Sequence, residues 1–274
     1  MKFAICNETF QDWPFDRAFA FAAECGYTGV EFAPFTIHKD ARQISPERRR
    51  EVRQQAEQAG LEVVGLHWLL AFTEGFYLTS PEADVRQRTA DYLCELARLC
   101  RDLGGETLVL GSPMQRNLLP GVSHEQAMEY AAVVLRMAMP TFAEQQTVLA
   151  VEPLGPQEGD FLLTAASGVE LMKMVDSPQC RLHLDVKAMS SEETPIDEIV
   201  RQNAAHTQHF HANDANRRGP GMGDIDFHPI LSALQETDYQ GWVSVEVFDY
   251  DPGSEALARE SIQYMQQCLQ DLAS

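Results

Sequence analysis

Four apolar runs in the second half of the chain each end in a side chain that can ligate a cation. Val148-Leu149-Ala150-Val151 ends at Glu152, and Leu182-His183-Leu184 at Asp185. His209-Phe210 ends at His211, and Val243-Ser244-Val245 at Glu246. Three carboxylates and one imidazole suit a divalent cation of hard to borderline character, Mn²⁺, Co²⁺ or Mg²⁺. Zn²⁺ is also admitted, although no thiolate is present to select it. The competing reading of a single acidic strand end is a cap for the next helix, but four successive ends of this kind point to one centre. Residues two positions earlier point the same way in a strand. Ala150, His183, His209 and Ser244 are therefore expected just beneath the cation, where the two histidines either support the ligands or pack as core.

These side chains converge only if the runs are neighbouring parallel strands. Strand patterns fall at Lys2 to Cys6, Thr28 to Phe32, Leu61 to His67, Glu106 to Leu110, Thr147 to Glu152, Arg181 to Asp185, Thr207 to His211 and Trp242 to Val247. Helical periodicity fills the intervals: Phe15 to Cys25, Pro46 to Ala59, Pro81 to Leu103, Ser123 to Glu144, Thr164 to Val175, Pro195 to Asn203, Pro229 to Glu236 and Ser254 to Leu272. Gly26, Gly60 and Gly104 punctuate helix ends, and Ser123 with Gln126 has the spacing of a capping box. Strict alternation implies a parallel sheet with helical crossovers. Eight units in 274 residues favour one closed (β/α)8 barrel spanning residues 1–274 over an open doubly wound sheet. No G-x-G-x-x-G follows the first strand, so the dinucleotide form of the open sheet lacks its signature. In a barrel the active site lies where the strands end.

With these motifs in order, the chain resembles the sugar isomerase/epimerase superfamily with the xylose-isomerase-like barrel, in particular the ketose 3-epimerases of the tagatose/psicose type. The matching stretches are Val151-Glu152-Pro153 with Glu158, His183-Leu184-Asp185, the run from His209 through Asn213-Asp214-Ala215-Asn216-Arg217 to Gly221, and Ser244 to Phe248. The opening Gly26-Tyr27-Thr28-Gly29-Val30-Glu31 is similar too. The resemblance implies that Glu152, Asp185, His211 and Glu246 hold a divalent metal, Mn²⁺ foremost, with a ketose bound through its C2 carbonyl and C3 hydroxyl oxygens. A bound cation would acidify the C–H next to the carbonyl and stabilise the enediolate. Glu152 and Glu246 would exchange protons on opposite faces, inverting the carbon, or returning the proton to the neighbouring carbon and so isomerising aldose and ketose. Glu158 and Arg217 match positions that hydrogen-bond the substrate near O1 to O3.

One position departs from this pattern. Three residues after the strand-six aspartate the ketose 3-epimerases carry a histidine, whereas this chain has Ala188. Simple ketohexose 3-epimerisation is thereby in question. The space would admit a larger substrate, or Lys187 would supply a charge. His67, closing the third strand, is a candidate contact to substrate or metal-bound water. Trp68 and Trp13 are candidates for stacking on a sugar face. Arg116 reads as a surface salt-bridge residue, with a substrate anion as the alternative.

Composition excludes several other classes. With 41 acidic and 21 basic side chains the formal net charge is −20, which opposes nucleic acid and anionic membranes. An apurinic endonuclease on the same barrel would need a basic groove and further histidine ligands. The six cysteines form no C-x-x-C pair and fit a reducing, cytoplasmic setting; the opening MKFAICNETF does not read as a secretory segment. A small carbohydrate is the expected partner, with a homodimer or homotetramer as an open possibility. Two alternatives remain: a lyase or dehydratase using the same metal on a keto-sugar or inosose, and a non-catalytic sugar-binding subunit. The second has no need of paired carboxylates.

Overall fold

A computed structural model describes residues 1–274. Eight parallel strands close on themselves in sequence order: β1 (Lys2–Cys6), β2 (Gly29–Phe32), β3 (Glu62–Leu66), β4 (Thr107–Leu110), β5 (Val148–Val151), β6 (Cys180–Asp185), β7 (Thr207–Ala212) and β8 (Trp242–Val245). Closure comes from β1 pairing with both β2 and β8. The helices are α1 (Phe15–Cys25), α2 (Pro46–Gln58), α3 (Ala83–Leu103), α4 (His124–Gln145), α5 (Ala165–Val175), the single turn α6 (Val186–Met189), α7 (Ile196–Asn203), α8 (Phe227–Glu236) and, after the last strand, α9 (Ser254–Leu272). This is the single (β/α)8 barrel that the alternation of patterns predicts. No helix is long and apolar enough to cross a membrane.

Local chemistry sets the helix limits. Ser45 accepts from the Arg48 N–H and Pro46 opens α2, where its missing N–H costs nothing. The capping box predicted at Ser123 and Gln126 is formed, and Thr164 with Ser167 makes a second one at α5. Gly26 ends α1 at φ 104°, a left-handed turn that a Cβ would oppose. Contrary to the usual effect of proline, Pro140 lies inside α4, which runs on through it to Gln145.

Two features of the sheet bear on the site. Between β6 and β7 the register shifts at Leu182/His183, so that His183 pairs with His209 and Asp185 with His211. The ligand-type residues thus stand side by side, one layer above a pair of histidines. The β3–β4 contact is very close: a Cβ on Gly65 would lie 1.7 Å from the Thr107 carbonyl oxygen, so only glycine fits there.

Candidate metal centre and active site

Glu152 and Glu246 each stand one residue beyond their strands, continuing the ladder through N–H bonds to the Leu110 and Ala212 carbonyls at 3.3 Å. Asp185 and His211 are the last inward residues of β6 and β7. All four are buried. Glu152, Asp185 and His211 each offer a donor atom in one cluster spanning no more than 4.8 Å, together with His183. Glu246 joins through His211, its Oε2 lying 3.0 Å from Nδ1 of that ring. Asp185 is fixed by two donors, the Ala188 N–H at 2.7 Å and the Asn213 amide at 2.6 Å.

The donor chemistry fits a divalent cation. His211 Nδ1 and Glu246 Oε2, both buried, have no hydrogen-bond partner, and their 3.0 Å separation is that of neighbouring donors on one ion with bonds of ~2.1 Å. Charge crowding leaves its mark on the carboxylates. Burial, reinforced by Glu246 and Asp185, holds Glu152 well above the ordinary carboxylate range. Burial also pushes Glu246 upward, but His211, together with His67 and Lys187, outweighs it and leaves this group below its ordinary value.

Beneath this layer lies a polar network that strand-end reading did not find. Glu31, buried at the end of β2, accepts from His209 Nε2 at 2.7 Å and lies 3.2 Å from His211 Nε2. Burial opposes its charge, yet His209 and His211 keep it ionised well below the usual range. The Glu31 contact engages Nε2 of His211 and leaves Nδ1 for the centre, as a supporting carboxylate commonly does. Glu31 stood within the Gly26–Glu31 stretch without a role; the available signal was an acid set between Val30 and Phe32 in an apolar run. Glu8, just after β1, had no such signal. It meets His67 Nε2 at 2.7 Å.

His67 consequently sits under the site, fully buried, between Glu8 and Glu31, and is not among the side chains lining the cavity. It reaches the centre indirectly, sharing a 4.8 Å cluster with Glu8 and Glu246. Trp68 leaves β3 with a left-handed backbone, φ 51°, uncommon for a bulky residue. That turn aims its Nε1 at Glu246 Oε1, 2.7 Å away, while its ring stacks on Phe248. Trp13 instead packs with Phe10 and Phe21 beneath Arg17, outside the cavity.

The surface reading of Arg116 is overturned: its side chain turns inward and is 1% exposed. One guanidinium nitrogen donates to the carbonyls of Leu110 at 3.1 Å and Glu152 at 2.7 Å. Arg116 therefore pins the backbone that carries Glu152. Gly111 matters for a related reason, because a Cβ there would lie 1.6 Å from Glu152 Oε2.

Above the centre is a cavity of about 330 Å³ whose walls include Glu152, Glu246, Glu158, Arg217, Trp68 and Phe248. Arg217 projects from a loop residue at φ 73° whose carbonyl accepts from the Phe248 and Asp249 N–H groups. Lys187 forms a 2.6 Å ion pair with Glu158 and lies 4.1 Å over the Phe248 ring. It thus brings a charge beside the position where Ala188 replaces a histidine.

Comparison with known proteins gives relatives of consistent kind. A Synechocystis protein named "Probable ketose 3-epimerase" is 28% identical over 280 residues, covering 93% of this chain and 91% of its own. A D-psicose 3-epimerase of Agrobacterium fabrum is 36% identical over 100 residues, 36% of this chain and 35% of that one. Among solved structures, a D-psicose 3-epimerase crystallised in the presence of D-fructose superimposes with a TM-score of 0.87, covering 98% of this chain and 99% of the other. Its sequence identity is 21%, so that likeness is one of fold. The model of the xylose isomerase-like TIM barrel matches residues 19–268, and the chain belongs to that family.

Proposed function

We propose that this protein is a divalent-metal-dependent sugar epimerase/isomerase acting on a ketose or a related hydroxy-ketone. The observation that carries the reading is geometric: two buried carboxylates, Glu152 and Glu246, open onto one cavity and flank a cluster of cation donors. The relatives named as ketose 3-epimerases support it. Glu152, Asp185, His211 and Glu246 would hold the cation, with Mn²⁺ the foremost candidate. Such a cation supplies a Lewis acid that lowers the pKa of a C–H next to a carbonyl.

The protein's own groups perform the proton transfers. One of Glu152 and Glu246 removes the proton from the carbon next to the carbonyl, and the other delivers one from the opposite face. The centre inverts, and the two carboxyls end with their protonation states exchanged. Trp68 Nε1–H holds the Glu246 carboxylate in one orientation; at Glu152, Arg116 anchors the backbone carbonyl and Gly111 leaves room for the carboxylate. Glu158 and Arg217, on the cavity wall, are placed to bond hydroxyl oxygens, with Lys187 orienting Glu158.

The test is solvent deuterium incorporation into recovered ketose and product, with Mn²⁺, Co²⁺ or Mg²⁺ added. Exchange next to the carbonyl without loss of water or a substituent is expected. Glu246→Gln should abolish that exchange while circular dichroism reports a folded barrel. Activity unchanged in this variant would refute the assignment, and net loss of water would point to elimination instead.

A further inference from the structure

One buried imidazole has no partner. His67, His209 and His211 each meet a carboxylate, Glu8 or Glu31. His183 is equally buried, yet neither Nδ1 nor Nε2 has a hydrogen-bond partner. Leaving a buried polar atom unpaired is costly, and such groups in folded proteins call for a specific explanation. The His183 ring lies 4.2 Å from that of His211 between centroids, and its Nε2 is 3.9 Å from Glu152 Oε1. Register accounts for this: the β6–β7 shift brings His183 beside His209, directly beneath Asp185 and His211.

We propose that His183 is itself a ligand of the divalent cation, giving the centre two imidazole nitrogens and a preference for nitrogen-seeking ions. The inference rests on the metal reading above. Donor atoms of Glu152, His183, Asp185 and His211 all lie within 4.8 Å of one another. Donors on one ion with bonds of ~2.1 Å lie ~3 Å apart when adjacent and ~4.2 Å apart when opposed, so side-chain adjustments on the order of an ångström close the set. An added imidazole favours Co²⁺ and Zn²⁺ over Mg²⁺, which prefers oxygen. His183 is thereby distinguished from a supporting residue such as Glu31, which acts through another ring.

The experiment is X-ray absorption on the full-length protein loaded with one equivalent of Zn²⁺, counting imidazole ligands, with Zn²⁺ and Mg²⁺ affinities measured by competition. Two imidazoles are expected in the parent and one in His183→Gln. The Zn²⁺ affinity of the variant should fall at least ~10-fold and that of Mg²⁺ less than ~3-fold. A single imidazole in the parent, or equal losses for both ions, overturns the ligand role and leaves the metal-dependent reading standing. If the parent takes up no cation, both fail. The parent spectrum decides the matter even if His183→Gln does not fold.

Discussion

Gly111→Ala is the most selective perturbation that the site offers. Gly111 does not have a positive φ, so alanine suits its backbone, and the obstacle is the Glu152 carboxylate alone. The new methyl carbon would lie 1.6 Å from Oε2, whereas ordinary carbon–oxygen contacts are ~3.3 Å. The oxygen must retreat by about 1.7 Å, which a glutamate achieves by rotation at small cost to stability. Misplacement of a reacting group by about 1 Å costs ~10²-fold in rate, equivalent to ~2.7 kcal/mol of barrier. Deuterium exchange should fall by at least that factor, with the thermal midpoint nearly unchanged. Glu152→Asp shortens the same side chain and withdraws the same carboxylate. The double variant should therefore lose less than the product of the two single losses, as expected for changes acting through one group. Exchange within about threefold of the parent in folded Gly111→Ala would refute the claim that Glu152 works from its observed position.

Two further outcomes follow from neighbouring features. Arg116→Met removes two charged hydrogen bonds, each worth ~1.5–3 kcal/mol, and leaves the Leu110 and Glu152 carbonyls without that donor. Regaining the cost of a buried cation offsets part of this, so denaturant titration should show a loss of about 3 kcal/mol, and a loss under ~1 kcal/mol would contradict the pinning role. His228 on α8, between the cap residue Asp226 and Asp271 of α9, is held above its ordinary value by hydrogen bonds to both carboxylates. A raised histidine stabilises fully below its unfolded value and ceases to do so as pH rises through its folded value. His228→Asn should therefore lower the thermal midpoint at about pH 5.5 and have no effect near pH 9, and a deficit persisting at high pH would exclude this linkage.

The sequence disclosed what depends on local pattern. The barrel strands show as short apolar runs and several helices show their ends, so Glu152, Asp185, His211 and Glu246 could be read as strand ends facing one axis. The period of two also put His183 and His209 inside the barrel. What escaped depends on closure. Glu8 and Glu31 reach the histidines of β3 and β7 only because β1 and β2 complete the ring, and no spacing along the chain encodes that distance. Arg116 was misjudged because Gly111-Ser112-Pro113-Met114-Gln115-Arg116 has the composition of an exposed loop, while the two carbonyls it serves draw it inward. Trp68 shows only its aromatic face in the sequence, whereas its left-handed backbone directs the N–H to Glu246.

The carboxylate–imidazole layer beneath the centre has an evolutionary consequence. Many (β/α)8 barrels fill this depth with branched aliphatic side chains. Here Glu31, His209 and His183 occupy the positions where hydrocarbon would pack. Replacing such a buried polar group by apolar residues of similar volume is often neutral or stabilising. A library selected for heat resistance alone should therefore accumulate Leu or Met at Glu31 and His209, yielding hardy proteins with no function. Directed evolution of this enzyme needs a catalytic screen in every round.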